Sequence, residues 1–378
     1  MMQKKIYFEN LDSLRFLCFL SIFFYHSFYT SSVSINESEP YRILTREIFG
    51  NGNIGVNFFF VLSGFLISYL LIEEKKMNAN ISIPKFWMRR ILRIWPLFFA
   101  CVFVGFIIFP EIKALLGQAS HETANPVYYF TFLNNFDLIN SGLPDSSVLG
   151  VLWSIAIEEQ FYFVLPIIIY ITPIKRLWLV FVGVLAISLY YRYNNYTYLN
   201  YEYHTFSCMS DLAIGGLAAW LIIEFKSVKG FIENLNKPTI VLIYVGFISL
   251  YFFKDDLIRT FPFLLTSERL ILSIFIILII LEQTFCTNSI FKLGRIKVFT
   301  RFGKITYGMY SLHFIGIIFA LAVTDYLGIN KTLWQIILID TPIAFVFSLI
   351  IASISYKFYE KPFLKLKSRF QFITRDDK

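Results

Sequence analysis

The first apolar segment of the chain carries two side chains that are costly in a membrane. It reads LDSLRFLCFLSIFFYHSF, from residue 11 to residue 28, with Arg15 and His26 among Leu, Phe and Ile. Their separation is almost three helical turns, so both project from one face, about 16 Å apart along the axis. An ionisable residue within a membrane span marks a functional site by default. A guanidinium binds anions, and an imidazole accepts protons near neutral pH. This helix face therefore predicts functional groups at two depths in the membrane.

A second group of polar side chains opens another apolar segment, VLWSIAIEEQFYFVLP. Ser154, Glu158 and Tyr162 recur at four-residue spacing, so they share one helix face. Two adjacent carboxylates, Glu158 and Glu159, are expensive in lipid and must meet a polar cavity or a cation. Packing alone leaves them unexplained, so we predict that they act in a functional site.

Arginines precede the third apolar segment, in the stretch RRILRIWP. Arg90 and Arg93 are three positions apart and are therefore neighbours on a helix face at the membrane boundary. Paired guanidinium groups suit phosphates because their donors match phosphate geometry. The excess of positive residues on the cytoplasmic side of membrane proteins explains an arginine cluster about as well. Arg15 alone could also extend its guanidinium to the lipid headgroups. The phosphate interpretation therefore depends on what else lies nearby.

The ninth apolar segment has a polar side within ITYGMYSLHFIG. It carries Tyr307, Tyr310, Ser311 and His313 on an otherwise apolar helix. A lone histidine in such a segment is more often a hydrogen-bonded core residue than a catalyst. We therefore rank His313 below His26 as a candidate.

These residues need a framework of helices that crosses a membrane. Hydrophobic residues make up 57% and charged residues 16% of the 378 positions, which excludes a soluble domain. Small residues in the second apolar segment, among them Gly64 and Ser68, predict close helix packing. Apolar runs predict an all-α polytopic fold of about ten membrane helices that enclose a cavity. The predicted spans are roughly residues 11–32, 53–72, 94–109, 151–172, 177–191, 206–224, 238–253, 262–285, 305–324 and 335–356.

The formal charge of +8 is distributed unevenly along the chain. If the N-terminus is cytoplasmic, most of the 34 Lys and Arg residues fall in cytoplasmic segments. The positive-inside rule then places both termini in the cytoplasm, and the charge needs no nucleic-acid partner. A cleaved signal peptide explains the first thirty residues less well, because Asp12, Arg15 and His26 interrupt the apolar run. The four cysteines have no paired spacing, so neither a disulfide framework nor a metal site is indicated.

Residues 110–150 form the longest predicted outer segment and contain many aromatic and amide side chains. Loops of this length are usually functional or disordered. Aromatic and amide side chains suit sugar binding by stacking and hydrogen bonding, so we favour a functional interpretation.

Six motifs in chain order resemble those of the acyltransferase-3 family of membrane enzymes, which acylate cell-surface glycans and other extracytoplasmic acceptors. The motifs are LDSLRFLCFLSIFFYH, GVNFFFVLSGFLIS, RRILRIWP, LWSIAIEEQFYFVLP, ITYGMYSLHF and YEKP. Arg15 and His26 match the family's basic residue followed by ten residues and a histidine, and Arg90 and Arg93 match its double arginine. The residues that match its Trp-Ser and Glu-Glu-Gln pattern are Trp153, Ser154, Glu158, Glu159 and Gln160.

The resemblance implies an O-acyltransferase that moves an acyl group, most often acetyl, from cytoplasmic acyl-CoA to an extracytoplasmic hydroxyl. The acceptor would be a polysaccharide or a lipid-linked sugar; acyl-CoA would be the co-substrate, and no metal is implied. His26 would be a general base or a transient acyl carrier. The expected catalytic residues are His26, Glu158 and Glu159. Those expected to bind coenzyme A are Arg15, Arg90 and Arg93. The expected substrate-binding residues are Trp153, Ser154, Gln160, Tyr162, Tyr310 and His313.

The resemblance also implies a transmembrane acyltransferase domain over residues 1–362 and a basic cytoplasmic tail over residues 363–378, with Pro362 ending the last helix. The protein would be a multi-pass protein of the cytoplasmic (inner) membrane. It would resemble the members without an additional C-terminal hydrolase-like domain. Ser13, Asn57 and Leu312 depart from the family pattern. The alternative function is an exporter of polysaccharide or lipid-linked sugar, which also needs buried charge but often shows paired repeats.

Overall fold

The computed structural model describes residues 8–115, 117–195, 197–258 and 262–370, and these residues are helical with no β-strand. The prediction of an all-α fold is confirmed. Ten long helices are numbered here in chain order: α1 Glu9–Ser27, α2 Ile54–Asn78, α3 Ile83–Phe103, α4 Trp153–Ile171, α5 Leu177–Asn194, α6 Thr205–Glu224, α7 Lys237–Ile258, α8 Pro262–Phe285, α9 Thr306–Tyr326 and α10 Thr341–Ile354.

Shorter helical segments join or extend these helices. The α-helical ones are Val33–Asn36, Glu39–Arg42, Phe109–Leu115, Pro126–Phe130, Asn134–Ser141, Ser147–Gly150, Tyr198–Tyr203, Lys226–Glu233, Lys297–Gly303, Leu333–Gln335 and Lys361–Lys367. The π-helical ones are Ile43–Ile48, Val104–Ile108, Ile336–Asp340 and Ser355–Glu360, and the 3₁₀ ones are Ile174–Arg176, Leu293–Arg295 and Ser368–Phe370.

Nine helical stretches within the described ranges are long and apolar enough to cross a membrane, which makes this a polytopic membrane protein. They correspond to nine of the ten predicted spans. The tenth prediction, residues 11–32, corresponds to α1, which is not among the nine and which ends at Ser27. The nine stretches are Ile54–Asn78, Ile83–Leu115, Ser147–Ile171, Ile174–Asn194, Tyr198–Glu224, Lys237–Lys254, Leu264–Phe285, Thr306–Tyr326 and Leu333–Lys367.

Helix α1 packs against protein on two sides, while its Leu17 and Tyr25 side chains are exposed. Phe19 and Phe23 are fully buried in one hydrophobic cluster, while Leu11 and Leu14 are buried in a second cluster on another side. A helix face that is covered by protein can carry polar side chains, because neighbouring helices rather than lipid receive them. This position accounts for a helix that keeps Arg15 and His26 and yet packs tightly.

Helices α2 and α6 approach each other closely. A Cβ added to Gly64 would collide with the backbone of Leu212, and one added to Gly215 would collide with the backbone of Val61. Small residues at such a crossing let the two backbones meet. The predicted packing role of the second span is confirmed at Gly64.

The last membrane helix does not end at Pro362, so that prediction is wrong. After the π-helical turn Ser355–Glu360 the chain continues as the helix Lys361–Lys367. Proline is tolerated in the first turn of a helix, where its missing N–H would have no intrahelical partner. Within the predicted tail 363–378, residues 363–370 are therefore helical, whereas 371–378 lie outside the described residues.

Candidate active site

A pocket with a volume of about 250 Å³ lies between α1, α2, α3, α4 and α9. Its wall on α2 extends from Val56 to Glu74. Eighteen residues of helix cover about 27 Å, which approaches the roughly 30 Å of a bilayer's hydrocarbon core. The pocket therefore runs along most of the depth of the bundle.

One end of this pocket is basic. The three residues predicted to bind an anion, Arg15, Arg90 and Arg93, all line it, although they come from two helices. Arg89 and Lys367 line the same end. Arg89, Arg90 and Arg93 are already neighbours in the sequence, and the fold brings Arg15 and Lys367 to them.

The arginines of the basic end are held by aromatic rings and carboxylates. The Arg90 guanidinium lies 5.5 Å from the ring centroid of Tyr162 and 5.6 Å from that of Phe86. Arg15 Nη1 lies 2.5 Å from Asp12 Oδ1, one helical turn away. Stacked and paired guanidinium groups keep their remaining N–H donors in fixed directions, which suits recognition of phosphate oxygens.

The two adjacent glutamates point in different directions. Glu158 lines the pocket and its Oε1 accepts a hydrogen bond of 2.6 Å from the Ser63 hydroxyl. Glu159 accepts a hydrogen bond of 2.8 Å from the indole N–H of Trp95 and is not among the pocket-lining residues. Successive side chains on a helix point about 100° apart, and here Glu158 is directed toward the pocket while Glu159 is directed toward Trp95 of α3.

The other end of the pocket is closed by hydroxyl groups. Ser154 Oγ and Tyr310 Oη lie 2.6 Å apart, and Tyr310 Oη also donates to the carbonyl oxygen of Val151 at 3.1 Å. Both Ser154 and Tyr310 line the pocket. The predicted four-residue face of α4 is present, because Ser154, Glu158 and Tyr162 all face this space.

His26 and His313 form a hydrogen-bonded pair just beyond this end. His26 Nδ1 lies 3.0 Å from His313 Nε2, and His313 Nδ1 lies 2.7 Å from the carbonyl oxygen of Tyr310. A carbonyl oxygen only accepts, so Nδ1 of His313 carries the hydrogen and its Nε2 in the neutral ring is the acceptor. His26 must then donate from Nδ1, which leaves the lone pair on Nε2 of its neutral ring.

This arrangement prepares His26 Nε2 to accept a proton or to act as a nucleophile. His313 is fully buried and is therefore fixed in orientation, while His26 is only partly buried. The hydrogen-bond partner of the His26 imidazole is thus His313, whereas Glu158 and Glu159 accept hydrogen bonds from Ser63 and Trp95. His313 was ranked second as a lone histidine of the core; nothing local in the sequence shows that α9 faces α1.

The pocket and the histidine pair are adjacent but distinct. Neither His26 nor His313 is among the residues that line the pocket. Tyr310 belongs to both, since its hydroxyl group is at the pocket's end and its carbonyl oxygen accepts from His313. Three helical positions separate Tyr310 and His313, about 4.5 Å along the axis.

Two further predicted residues, Trp153 and Gln160, lie outside the pocket. Gln160 Nε2 donates to the carbonyl oxygen of Phe132 at 2.7 Å, and its Oε1 accepts from Thr205 at 2.6 Å. Its amide therefore joins α4 to the segment 110–150 and to α6. The Trp153 ring packs 4.8 Å from that of Tyr203.

The long segment 110–150 is folded rather than open. Lys113 Nζ lies 2.6 Å from Asp145 Oδ1, and Asp137 accepts a hydrogen bond of 2.9 Å from the Asn125 N–H. Asn135 is fully buried and donates to the carbonyl oxygen of Tyr203 at 3.0 Å. Many of the amide groups are thus used within the protein.

Several polar residues outside the predicted site have partners that only the fold reveals. Ser63, a small residue of the second span, donates a hydrogen bond to Glu158 and lines the pocket. A separate buried cluster joins Asp211 of α6 to Arg269 of α8, with a nitrogen–oxygen distance of 2.9 Å. Asp211 could have been found from the sequence, because an ionisable residue within an apolar span needs a polar or charged partner. Within the described ranges, no group of His, Cys, Asp and Glu side chains could hold a metal ion.

Comparisons with known proteins agree with this architecture. The family model described as "Acyltransferase domain" matches residues 8–357. A Staphylococcus aureus (strain COL) protein named "Putative O-acetyltransferase" is 29% identical, covering 96% of this chain and 58% of the relative. The "Peptidoglycan O-acetyltransferase OatA" of Listeria monocytogenes is 27% identical, covering 95% and 56%. No solved structure is a significant match.

Fold and pocket together define a polytopic membrane protein with a deep pocket that is basic at one end and adjoins a histidine pair at the other. The chain belongs to the acyltransferase-3 family, because the family model covers almost its entire length. It spans little more than half the length of the curated relatives that it matches.

Proposed function

We propose that this protein is a membrane O-acyltransferase that moves an acetyl group from acetyl-CoA to a hydroxyl of a cell-surface polysaccharide or lipid-linked sugar. Family membership and the O-acetyltransferase names of the relatives support acyl transfer to a surface polymer. The observation that carries the proposal is the pocket that begins among arginines and ends beside the hydrogen-bonded pair His26 and His313.

The donor would enter from the cytoplasm, with both termini on that side of the cytoplasmic membrane. The distribution of Lys and Arg supports this orientation. Arg15, Arg90 and Arg93 would hold the phosphates of coenzyme A by charge-assisted hydrogen bonds. The pantetheine arm would then lie along the pocket past Glu158, whose carboxylate can accept from an amide N–H of the arm.

The reaction would use the free Nε2 of His26. This nitrogen takes the proton of the acceptor hydroxyl while the oxygen attacks the thioester carbonyl carbon. The C–S bond then breaks, and the imidazolium returns the proton to the departing sulfur. His313 stabilises the imidazolium by accepting from its Nδ1–H, and a transient acyl group on Nε2 would use the same atom.

The thioester must pass the end of the pocket to reach His26. Ser154 and Tyr310 stand at that end. Because Tyr310 lies one turn from His313, a change in its side-chain rotamer would connect the pocket with the histidine pair. The acceptor would approach from the outer side, where Trp153 and Gln160 join α4 to outer segments.

Reconstituted protein tests this proposal. Proteoliposomes that receive radiolabelled acetyl-CoA on the side of the arginines and a peptidoglycan or lipid-linked glycan acceptor on the other should place label on the glycan. His26→Ala should abolish the label, whereas His121→Ala, an exposed histidine of the outer segment, should retain it. Movement of unmodified sugar without labelling would refute the proposal and support an exporter.

A further inference from the structure

The C-terminal end of the described chain packs against the mouth of the pocket. The helix Lys361–Lys367 and the turn Ser368–Phe370 both contact α3. Arg89 Nη1 donates a hydrogen bond of 2.8 Å to the carbonyl oxygen of Phe370. Arg89 is itself held by Glu74, with a nitrogen–oxygen distance of 3.4 Å, and both side chains are largely buried.

This attachment brings Lys367 to the basic end of the pocket. Lys367 is a pocket-lining residue, together with Arg89, Arg90 and Arg93 of α3. Lys365 lies two positions earlier, about 200° away around the helix, and is exposed and does not line the pocket. The same short helix therefore directs one lysine to the pocket and another away from it.

The charges that line the pocket favour a polyanion. Five of the lining residues are cationic and three are acidic. The cationic ones are Arg15, Arg89, Arg90, Arg93 and Lys367, and the acidic ones are Asp12, Glu74 and Glu158. Two of the acidic groups, Asp12 and Glu74, are paired with arginines on the same wall. A phosphate would add negative charge where the surrounding potential is positive.

We propose that the C-terminal helix forms part of the donor-binding site and that the Lys367 ammonium contacts a phosphate group of the bound donor. This inference rests on the proposed function for the identity of the donor, coenzyme A. Arg89 is then the residue that positions the C-terminal helix, because it donates a hydrogen bond to the Phe370 carbonyl oxygen while it also lines the pocket. The segment expected to be only a basic tail thereby supplies part of the site.

Calorimetric binding to the full-length protein in phosphatidylcholine nanodiscs tests this inference. Lys367→Ala should raise the Kd for coenzyme A about five- to tenfold, as expected when one charge-assisted contact of a partly solvated group is lost. Lys365→Ala is the matched control and should leave the Kd within about twofold. Lys367→Arg should restore most of the affinity. Acetyl-pantetheine, which has no phosphate, should bind both alanine variants equally.

The outcomes separate this inference from the proposed function. If Lys367→Ala and Lys365→Ala bind coenzyme A equally while Arg90→Ala weakens binding, Lys367 is not a donor contact and the proposed function stands. If the wild-type protein binds no coenzyme A, the proposed function itself fails. A loss confined to nanodiscs with anionic lipid would assign Lys367 to a lipid headgroup and overturn the donor assignment. A thermal unfolding curve for each variant excludes a folding defect.

Discussion

Replacement of His313 by Ala gives the sharpest test of the histidine pair. The change removes the Nε2 acceptor that lies 3.0 Å from His26 Nδ1. His26 is neutral at rest and cationic when it holds the acceptor's proton, so the lost hydrogen bond is a charge-assisted one in the transition state. Such bonds contribute about 1.5–3 kcal/mol, which corresponds to a decrease in kcat of roughly 10- to 150-fold.

The assay is steady-state acetyl transfer by reconstituted protein, with kcat and KM for acetyl-CoA measured separately. KM should change little, because His313 does not line the donor pocket. His313→Gln should retain more activity than His313→Ala, since an amide oxygen can still accept from His26 Nδ1. The double variant His26→Ala/His313→Ala should be no slower than His26→Ala alone, because the two residues act as a unit.

Two results would refute the reasoning. Full kcat in a folded His313→Ala protein would show that the imidazole of His26 needs no orienting partner. Independent action of the two histidines would be shown if both single variants lost kcat by the same factor and the double variant lost it by the product of the two factors. His121→Ala again serves as the control, because its side chain is exposed in the segment 110–150.

The buried ion pair and the outer segment give two further predictions. Arg269→Ala leaves the fully buried Asp211 carboxylate without its nearest cation. Thermal unfolding in detergent should therefore show a loss of about 3–5 kcal/mol in the free energy of unfolding. An unchanged Tm would contradict this prediction. The hydrogen bond from Lys113 lowers the pKa of the Asp145 carboxyl in the folded protein. The contact therefore stabilises the folded segment fully when the pH is above the unfolded-state pKa of this carboxyl. This stabilisation is lost as the pH falls through the lower, folded-state pKa. Protease cleavage of the outer segment should therefore increase at acid pH in the wild type, and this increase should be absent in Asp145→Asn.

Local spacing in the sequence predicted the parts of the site that one helix contains. Arg15 and His26 on α1, and Ser154, Glu158 and Tyr162 on α4, share faces because helical periodicity alone determines which side chains align. The same periodicity allows Glu158 and Glu159 to point apart, but it does not determine which of the two faces the pocket. Spans followed from hydropathy because the bilayer requires long apolar helices.

Contacts between distant parts of the chain were beyond this kind of reasoning. His26 and His313 are 287 positions apart, and no periodicity indicates which helices are neighbours. Gln160 was predicted to bind substrate, yet its amide is satisfied by Phe132 and Thr205. A polar residue in an apolar helix needs a hydrogen-bond partner. The sequence does not reveal whether a ligand or another part of the protein provides that partner.

The position of α1 links the two ends of the proposed reaction. Arg15 lines the basic end of the pocket and His26 meets His313 beyond its other end, and both belong to one continuous helix. A rigid helix fixes their separation at about 16 Å, so a donor anchored by its phosphates can reach the imidazole only with an extended arm. Because Arg15 and His26 lie on one face of α1, that face alone has to point toward the interior, and the exposed Leu17 and Tyr25 belong to other sides of the same helix.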